Sequence, residues 1–320
     1  MPSLLPHLSF SANTKEATYW SDLPVSALAL GISENLTDKP LLVITRTAQE
    51  AQEVLDALSF FLTVEQAQRL ALFSDYETLP YDVFSPAEDL ISERLEVLHR
   101  AARGDKLILI TSIANLLHRL PPVNYVTSRS LSLKIGDDIA PEKFRATMVE
   151  RGYRVTETVN NHGEIAVRGS LIDIYAMGMT SPCRIDLFDT EIDSIRTFDP
   201  DTQLTRDKIQ QIHVLPGREF PLDHQSIQDF RTRWHKEFDA DPRNSSVYEA
   251  VTKGYSPQGI ESYLPLFFDA TASLLDYLPA DTQLIQLANL TKATEGFWKQ
   301  LLEREDQYSG NIERLSLIHI

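Results

Sequence analysis

The chain has 320 residues, 42% of them hydrophobic, which is enough for two or three packed cores and excludes a fibrous or disordered protein. A formal charge of -16 makes the surface as a whole repel phosphate, so general nucleic-acid binding by counterion release is excluded and only a local basic patch stays open. The one cysteine, Cys183, has no partner for a disulfide or a zinc site, which fits a reducing cytoplasm.

Residues 1–10 lack a basic start and Pro6 cuts their apolar run, so no signal peptide is expected, and no segment is apolar enough to span a bilayer. Residues 41–44 and 106–110 are short, almost wholly apolar runs, the pattern of parallel strands covered on both faces. Residues 47–62 space Ala51, Val54, Leu55, Leu58 and Phe61 for a helix. Another helix is expected to open at Ser85-Pro-Ala-Glu-Asp89, with Ser85 as cap, Pro86 in the first position and the acids at the positive end of the dipole. These read as βαβ units. In the loop before that helix, Tyr76, Leu79, Tyr81 and Phe84 are expected to pin the chain to the sheet edge rather than to meet a ligand.

From about Ser128 to Leu215 the period changes. Short alternating runs at 154–158, 164–168, 171–175, 184–188 and 210–215, with one helix near 141–151, predict an inserted, mainly antiparallel α+β domain. After Pro216 the pattern is helical at 223–238 and 246–253, with Trp234 and Phe238 packed and no chemistry of their own. An apolar strand returns at 284–287, after Leu274-Leu-Asp-Tyr-Leu-Pro279. The chain stops in a strand-like run at 312–320, the expectation being a fragment of a longer protein.

Inside the inserted domain, alternation turns Ile185 and Leu187 to the core and Arg184, Asp186 and Phe188 to the other face; likewise Ile165 and Val167 turn inward and Arg168 outward, before Gly169 in a tight turn or bulge. Two readings follow. Phe188 covers a second small cluster while Arg184 pairs with Asp186 or Glu191, or an aromatic beside a guanidinium forms an interface centre. Asp173, Asp189, Glu191 and Asp193 lack EF-hand spacing and are assigned to turns and the polar face, Asp189 as a candidate partner for an arginine. The eight histidines are scattered without ligand spacing and read as structural or exposed, so no metal site is expected.

Three segments carry a family resemblance: Phe73-Ser-Asp-Tyr-Glu-Thr-Leu-Pro-Tyr-Asp-Val-Phe-Ser-Pro86, Arg168-Gly-Ser-Leu-Ile-Asp-Ile-Tyr175 and Arg184-Ile-Asp-Leu-Phe-Asp-Thr-Glu-Ile-Asp193. They resemble the amino-terminal part of the transcription-repair coupling factors (Mfd proteins), which is similar to the excinuclease component UvrB, and the resemblance covers most of the chain. It implies an α/β fold: a degenerate helicase-like, P-loop NTPase-related parallel-sheet domain with an inserted mainly antiparallel α+β domain and a small helical domain. The implied boundaries are 1–127 and 273–320 for the discontinuous sheet domain, 128–216 for the insertion and 217–272 for the helical part.

The resemblance also implies what is missing. A motor of this kind needs a phosphate loop of the G-x-x-x-x-G-K-[ST] type, and the matching residues 19–28 hold neither glycine nor lysine. The acidic pair that would hold magnesium falls at residues 284–289, which hold no acid. ATP hydrolysis is therefore not expected, and this segment is expected to be no enzyme and to hold no cofactor. The chain also passes from Tyr76 to Glu93 without room for the tyrosine-rich hairpin with which UvrB probes damaged DNA.

In the family the inserted domain docks the excinuclease component UvrA, and its contacts fall on Arg168, Arg184 and Phe188. Alanine at Arg184 or Phe188 is expected to weaken that binding by roughly 1–4 kcal/mol with folding nearly intact. The function implied is a UvrA-recruiting module of transcription-coupled nucleotide excision repair; the alternative is an active UvrB-type nucleotide-dependent repair protein. Full-length relatives add RNA polymerase binding, an ATP- and magnesium-dependent DNA translocase, and a carboxy-terminal domain that masks the UvrA surface.

Overall fold

The computed structural model describes residues 19–308 apart from 22, 81, 83, 239–241, 243 and 244. Tyr81 and the features expected at 1–10 and 312–320 lie outside the described residues. In chain order the elements are α1 (Val25–Asn35), β1 (Leu41–Thr45), α2 (Ala48–Phe61), α3 (Val64–Ala67), β2 (Leu70–Leu72), α4 (Glu88–Ala102), β3 (Ile108–Ser112), α5 (Ile113–Leu116) and α6 (Val123–Arg129). There follow β4 (Leu131–Lys134), α7 (Pro141–Glu150), β5 (Arg154–Val155), β6 (Glu164–Arg168), β7 (Leu171–Tyr175), β8 (Cys183–Phe188), β9 (Glu191–Phe198), β10 (Thr205–Ile209) and β11 (Gln211–Val214). The last are α8 (His224–Glu237), α9 (Ser246–Thr252), a 3-10 helix (Ile260–Phe267), α10 (Leu274–Tyr277), β12 (Gln283–Gln286) and α11 (Leu290–Tyr308).

Two compact units divide the chain. The first takes residues up to Asp75, then 103–117 and 278–296. Its sheet is parallel in the order β12-β1-β3-β2. The all-apolar character of residues 41–44 and of Ile108, Leu109 and Ile110 follows from position, because β1 and β3 are central and buried at every residue. Thr47 caps α2 by accepting the Glu50 N–H at 3.1 Å, and the helix buries Ala51, Val54 and Leu58 with Val43, Ile108 and Ile110. Arg69 donates to the carbonyls of Thr37, Lys39 and Lys106 at 3.0, 2.7 and 2.6 Å, which ties together the segments entering β1 and β3. The expected apolar return strand is β12, at the sheet edge. Its residues alternate in burial and Leu284 is 54% exposed.

The second unit takes residues 76–102 and 118–277 and resumes at Phe297. Helix α4 starts at Glu88 rather than at Pro86. Ser85 does not cap it but donates to Glu261 at 2.7 Å and accepts the Gly259 N–H at 2.9 Å. Gly259 has φ +77 and its Cα lies so close to the Asp82 carbonyl that a Cβ would sit 2.8 Å from that oxygen. Gly259→Ala is thus expected to cost about 1–3 kcal/mol, read as a fall in the urea midpoint. An unchanged midpoint would mean that the loop relaxes freely.

Of the loop aromatics, Tyr76 is buried, its hydroxyl on Glu219 and its ring beneath the Arg94 guanidinium at 3.8 Å, whereas Phe84 is 69% exposed and pins nothing. His118 stacks on Tyr76, centroids 5.5 Å apart, and its Nδ1 has no hydrogen bond among the described residues. Burial, and then the Arg94 charge, push its imidazole down to about 4. Because the folded value lies below the unfolded one, the unfolded chain takes up the proton first, and stability present above pH 6.5 is lost as pH falls toward 4. Between pH 7 and 5 the parent is expected to lose about 2 kcal/mol more than His118→Gln in urea unfolding. Equal losses would assign the acid sensitivity to other groups. The helical part closes over an aromatic core in which Trp234 meets Phe238 edge-on at 4.7 Å, with Phe220, Phe230, Tyr263 and Phe267 around them.

Candidate docking surface

The site is built on the six-stranded sheet of the second unit, order β10-β9-β8-β7-β6-β5, antiparallel except for the β5–β6 pair. Alternation divides its faces. Ile165, Ile172, Ile174, Ile185, Leu187 and Ile195 are buried on one, where α7, with Phe144 and Met148 buried, contacts β6. The register puts Asp173 opposite Arg184 and Leu171 opposite both Arg168 and Asp186, so Arg168, Asp173, Arg184, Asp186 and Phe188 share the other face. Val167 is half-buried, and Ala166 instead joins a satellite cluster with Val159 and Phe198.

Phe188 is 80% exposed at the end of β8, directly before the turn to β9 in which Asp189 takes φ 58. It covers no second cluster. Arg184 pairs with neither Asp186 nor Glu191: its Nε and Nη2 fork onto Asp173 at 2.7 and 3.0 Å, and Asp186 belongs to Ser194 and Arg196. Asp173 is 0% exposed, and Arg168 also donates to it while reaching the Glu157 carbonyl at 3.2 Å. The arginine partner expected at Asp189 is instead Asp173, a buried carboxylate held by both arginines. The hydrogen bond to Asp173, and then its charge, raise the Arg184 guanidinium above its ordinary range. Arg184 also lies 5.0 Å above the Phe198 ring. Gly169, at φ +61, makes the tight turn that joins β6 to β7.

Sequence reasoning missed Asp173 as the hub. The signal was present, since Ile172 and Ile174 turn inward and leave Asp173 on the arginine face, but its register with β8 was not readable. Among the described residues no three His, Cys, Asp or Glu gather as metal ligands would, and no helix is long and apolar enough to cross a membrane.

Residues 131–220 match the family model of the UvrB interaction domain, the stretch that forms this sheet. The transcription-repair-coupling factor of Haemophilus influenzae is 40% identical over 285 residues, 87% of this chain and 24% of that protein. That of Escherichia coli is 37% identical over 266 residues, 83% and 23% of the two chains, and that of Bacillus subtilis 30% over 300, 89% and 25%. The chain spans about a quarter of the length of the curated relatives it matches. An antiparallel sheet with the UvrB interaction signature, set in a chain with a separate parallel α/β unit, defines a UvrB-like interaction module. Its relatives place it more narrowly: over most of its own length the chain matches transcription-repair-coupling factors, as a UvrB-like region.

Proposed function

We propose that this region recruits UvrA in transcription-coupled nucleotide excision repair, through the sheet face that carries Arg168, Arg184 and Phe188. The observation that carries the reading is Phe188: a large aromatic, 80% exposed on the strand face it shares with Arg168 and Arg184, inside a UvrB interaction domain, has the composition of an interface centre. The likeness to coupling factors does not favour the alternative of an active UvrB-type repair protein.

The parallel-sheet unit is, in this reading, a degenerate relative of helicase-type P-loop motors, split by the insertion at 128–216 and the helical part at 217–272. It keeps the sheet and binds neither ATP nor magnesium, because residues 19–28 supply no glycine or lysine and residues 284–289 no acid. The full-length protein then works in the cytoplasm, supplies RNA polymerase binding and ATP-driven DNA translocation from other regions, and masks the UvrA surface with its carboxy-terminal domain.

Isothermal titration of the chain against purified UvrA tests the reading, with Arg168→Ala and Phe188→Ala variants checked for folding. Binding by the parent that is lost in folded variants establishes the surface. A parent that does not bind leaves the UvrB likeness as an account of fold only.

A further inference from the structure

Gln203 occupies the left-handed region, φ 60, in the turn between β9 and β10, a conformation that costs a residue with a Cβ and persists only where its surroundings fix it. The surroundings are plain. Its side-chain amide donates to the carbonyls of Val159 and Pro200 at 3.1 and 2.6 Å and to Asn160 Oδ1 at 3.2 Å, while its N–H donates to the Asp199 carbonyl at 2.8 Å. Asp199 in turn accepts from the Thr202 and Asp201 amides at 2.9 and 3.0 Å and from Arg206. From a turn so cross-tied, the Gln203 carbonyl accepts from Arg184 Nη1 at 3.4 Å.

Arg184 is then held on two sides, by Asp173 at Nε and Nη2 and by Gln203 at Nη1. Among the described residues, three of its five N–H groups are used and two remain, one each on Nη1 and Nη2, the number a carboxylate takes in a bidentate contact. We propose that Gln203 is a positioning residue: its strained turn presets Arg184 so that the two remaining N–H groups meet a carboxylate on the docking partner. The proposal rests on the UvrA-recruiting reading. A guanidinium already fixed loses less side-chain freedom on binding, so the expected return is affinity rather than stability.

The test is titration against UvrA of the parent, Gln203→Gly, Arg184→Ala, the double variant and Phe188→Ala, each with its thermal midpoint. Glycine keeps the left-handed backbone and removes the amide anchor, so Gln203→Gly is expected to bind about tenfold more weakly, and to add no further loss when Arg184 is already alanine. Should Gln203→Gly fail to fold, Gln203→Asn, which tolerates φ > 0 but is one methylene short of its acceptors, carries the same expectation. Binding by Gln203→Gly within twofold of the parent, or an equal loss in both Arg184 backgrounds, overturns the positioning role while Phe188→Ala still reports the docking surface. Parent-like binding by Phe188→Ala and Arg184→Ala overturns the docking reading and this proposal with it.

Discussion

Arg94→Ala is expected to destabilise the second unit by about 3–5 kcal/mol, the largest single effect in the chain. Arg94 and Glu219 are fully buried side chains 3.3 Å apart, and Glu219 also takes the Tyr76 hydroxyl, whose ring lies under the guanidinium. Burial works against the Arg94 charge, but Tyr76 and Glu219 more than offset it and hold the guanidinium above its ordinary range. Removing the cation strands a carboxylate without solvent, whereas removing both charges does not. Arg94→Met with Glu219→Leu is thus expected to cost less than the sum of the single changes in a urea double-mutant cycle. A loss below about 1 kcal/mol for Arg94→Ala would mean that water reaches Glu219 and the pair is not closed.

Phe188→Ala and Arg184→Ala are expected to separate binding from stability. Phe188 is exposed, so its truncation is expected to weaken UvrA binding by about 2–4 kcal/mol, roughly 30- to several-hundredfold, with the urea midpoint within about 0.5 kcal/mol of the parent. Arg184→Ala is expected to lose affinity too, and also about 1–3 kcal/mol of stability, because Asp173 at 0% exposure is left to Arg168 alone. This revises the expectation that folding stays nearly intact in Arg184→Ala. Calorimetry for binding and urea titration for stability, run on the same two variants, check it. Equal stability of the two would mean that Arg168 alone satisfies Asp173.

Much of the candidate face is legible in the order of the residues. A strict period of two in Arg184-Ile-Asp-Leu-Phe188 is enough to turn Phe188 outward, since a strand has only two faces. Helix α2 and the buried strands β1 and β3 are equally legible, because helical spacing and all-apolar runs are written in adjacent residues. Two neighbouring strands are not. The ladder slips between Asp186 and Leu187, breaking the alternation of β9, and β10 is an edge strand of Thr, Arg, Asp, Lys and Ile with almost no apolar signal. Ser85 misleads for a related reason: its sequence context is that of a cap, but Gly259 and Glu261 lie against it in the fold.

The sequence by itself determined the acidic surface, the two kinds of sheet, the outward turn of Phe188, and the missing glycine and lysine at residues 19–28. Only the tertiary structure decided that Arg184 closes on Asp173, 11 residues away, that Arg94 closes on Glu219 across 125, and that Gln203 accepts strain to face Arg184. Burial follows from composition and periodicity, which are properties of neighbouring residues. Ion pairing follows from strand register and loop closure, which no short window contains.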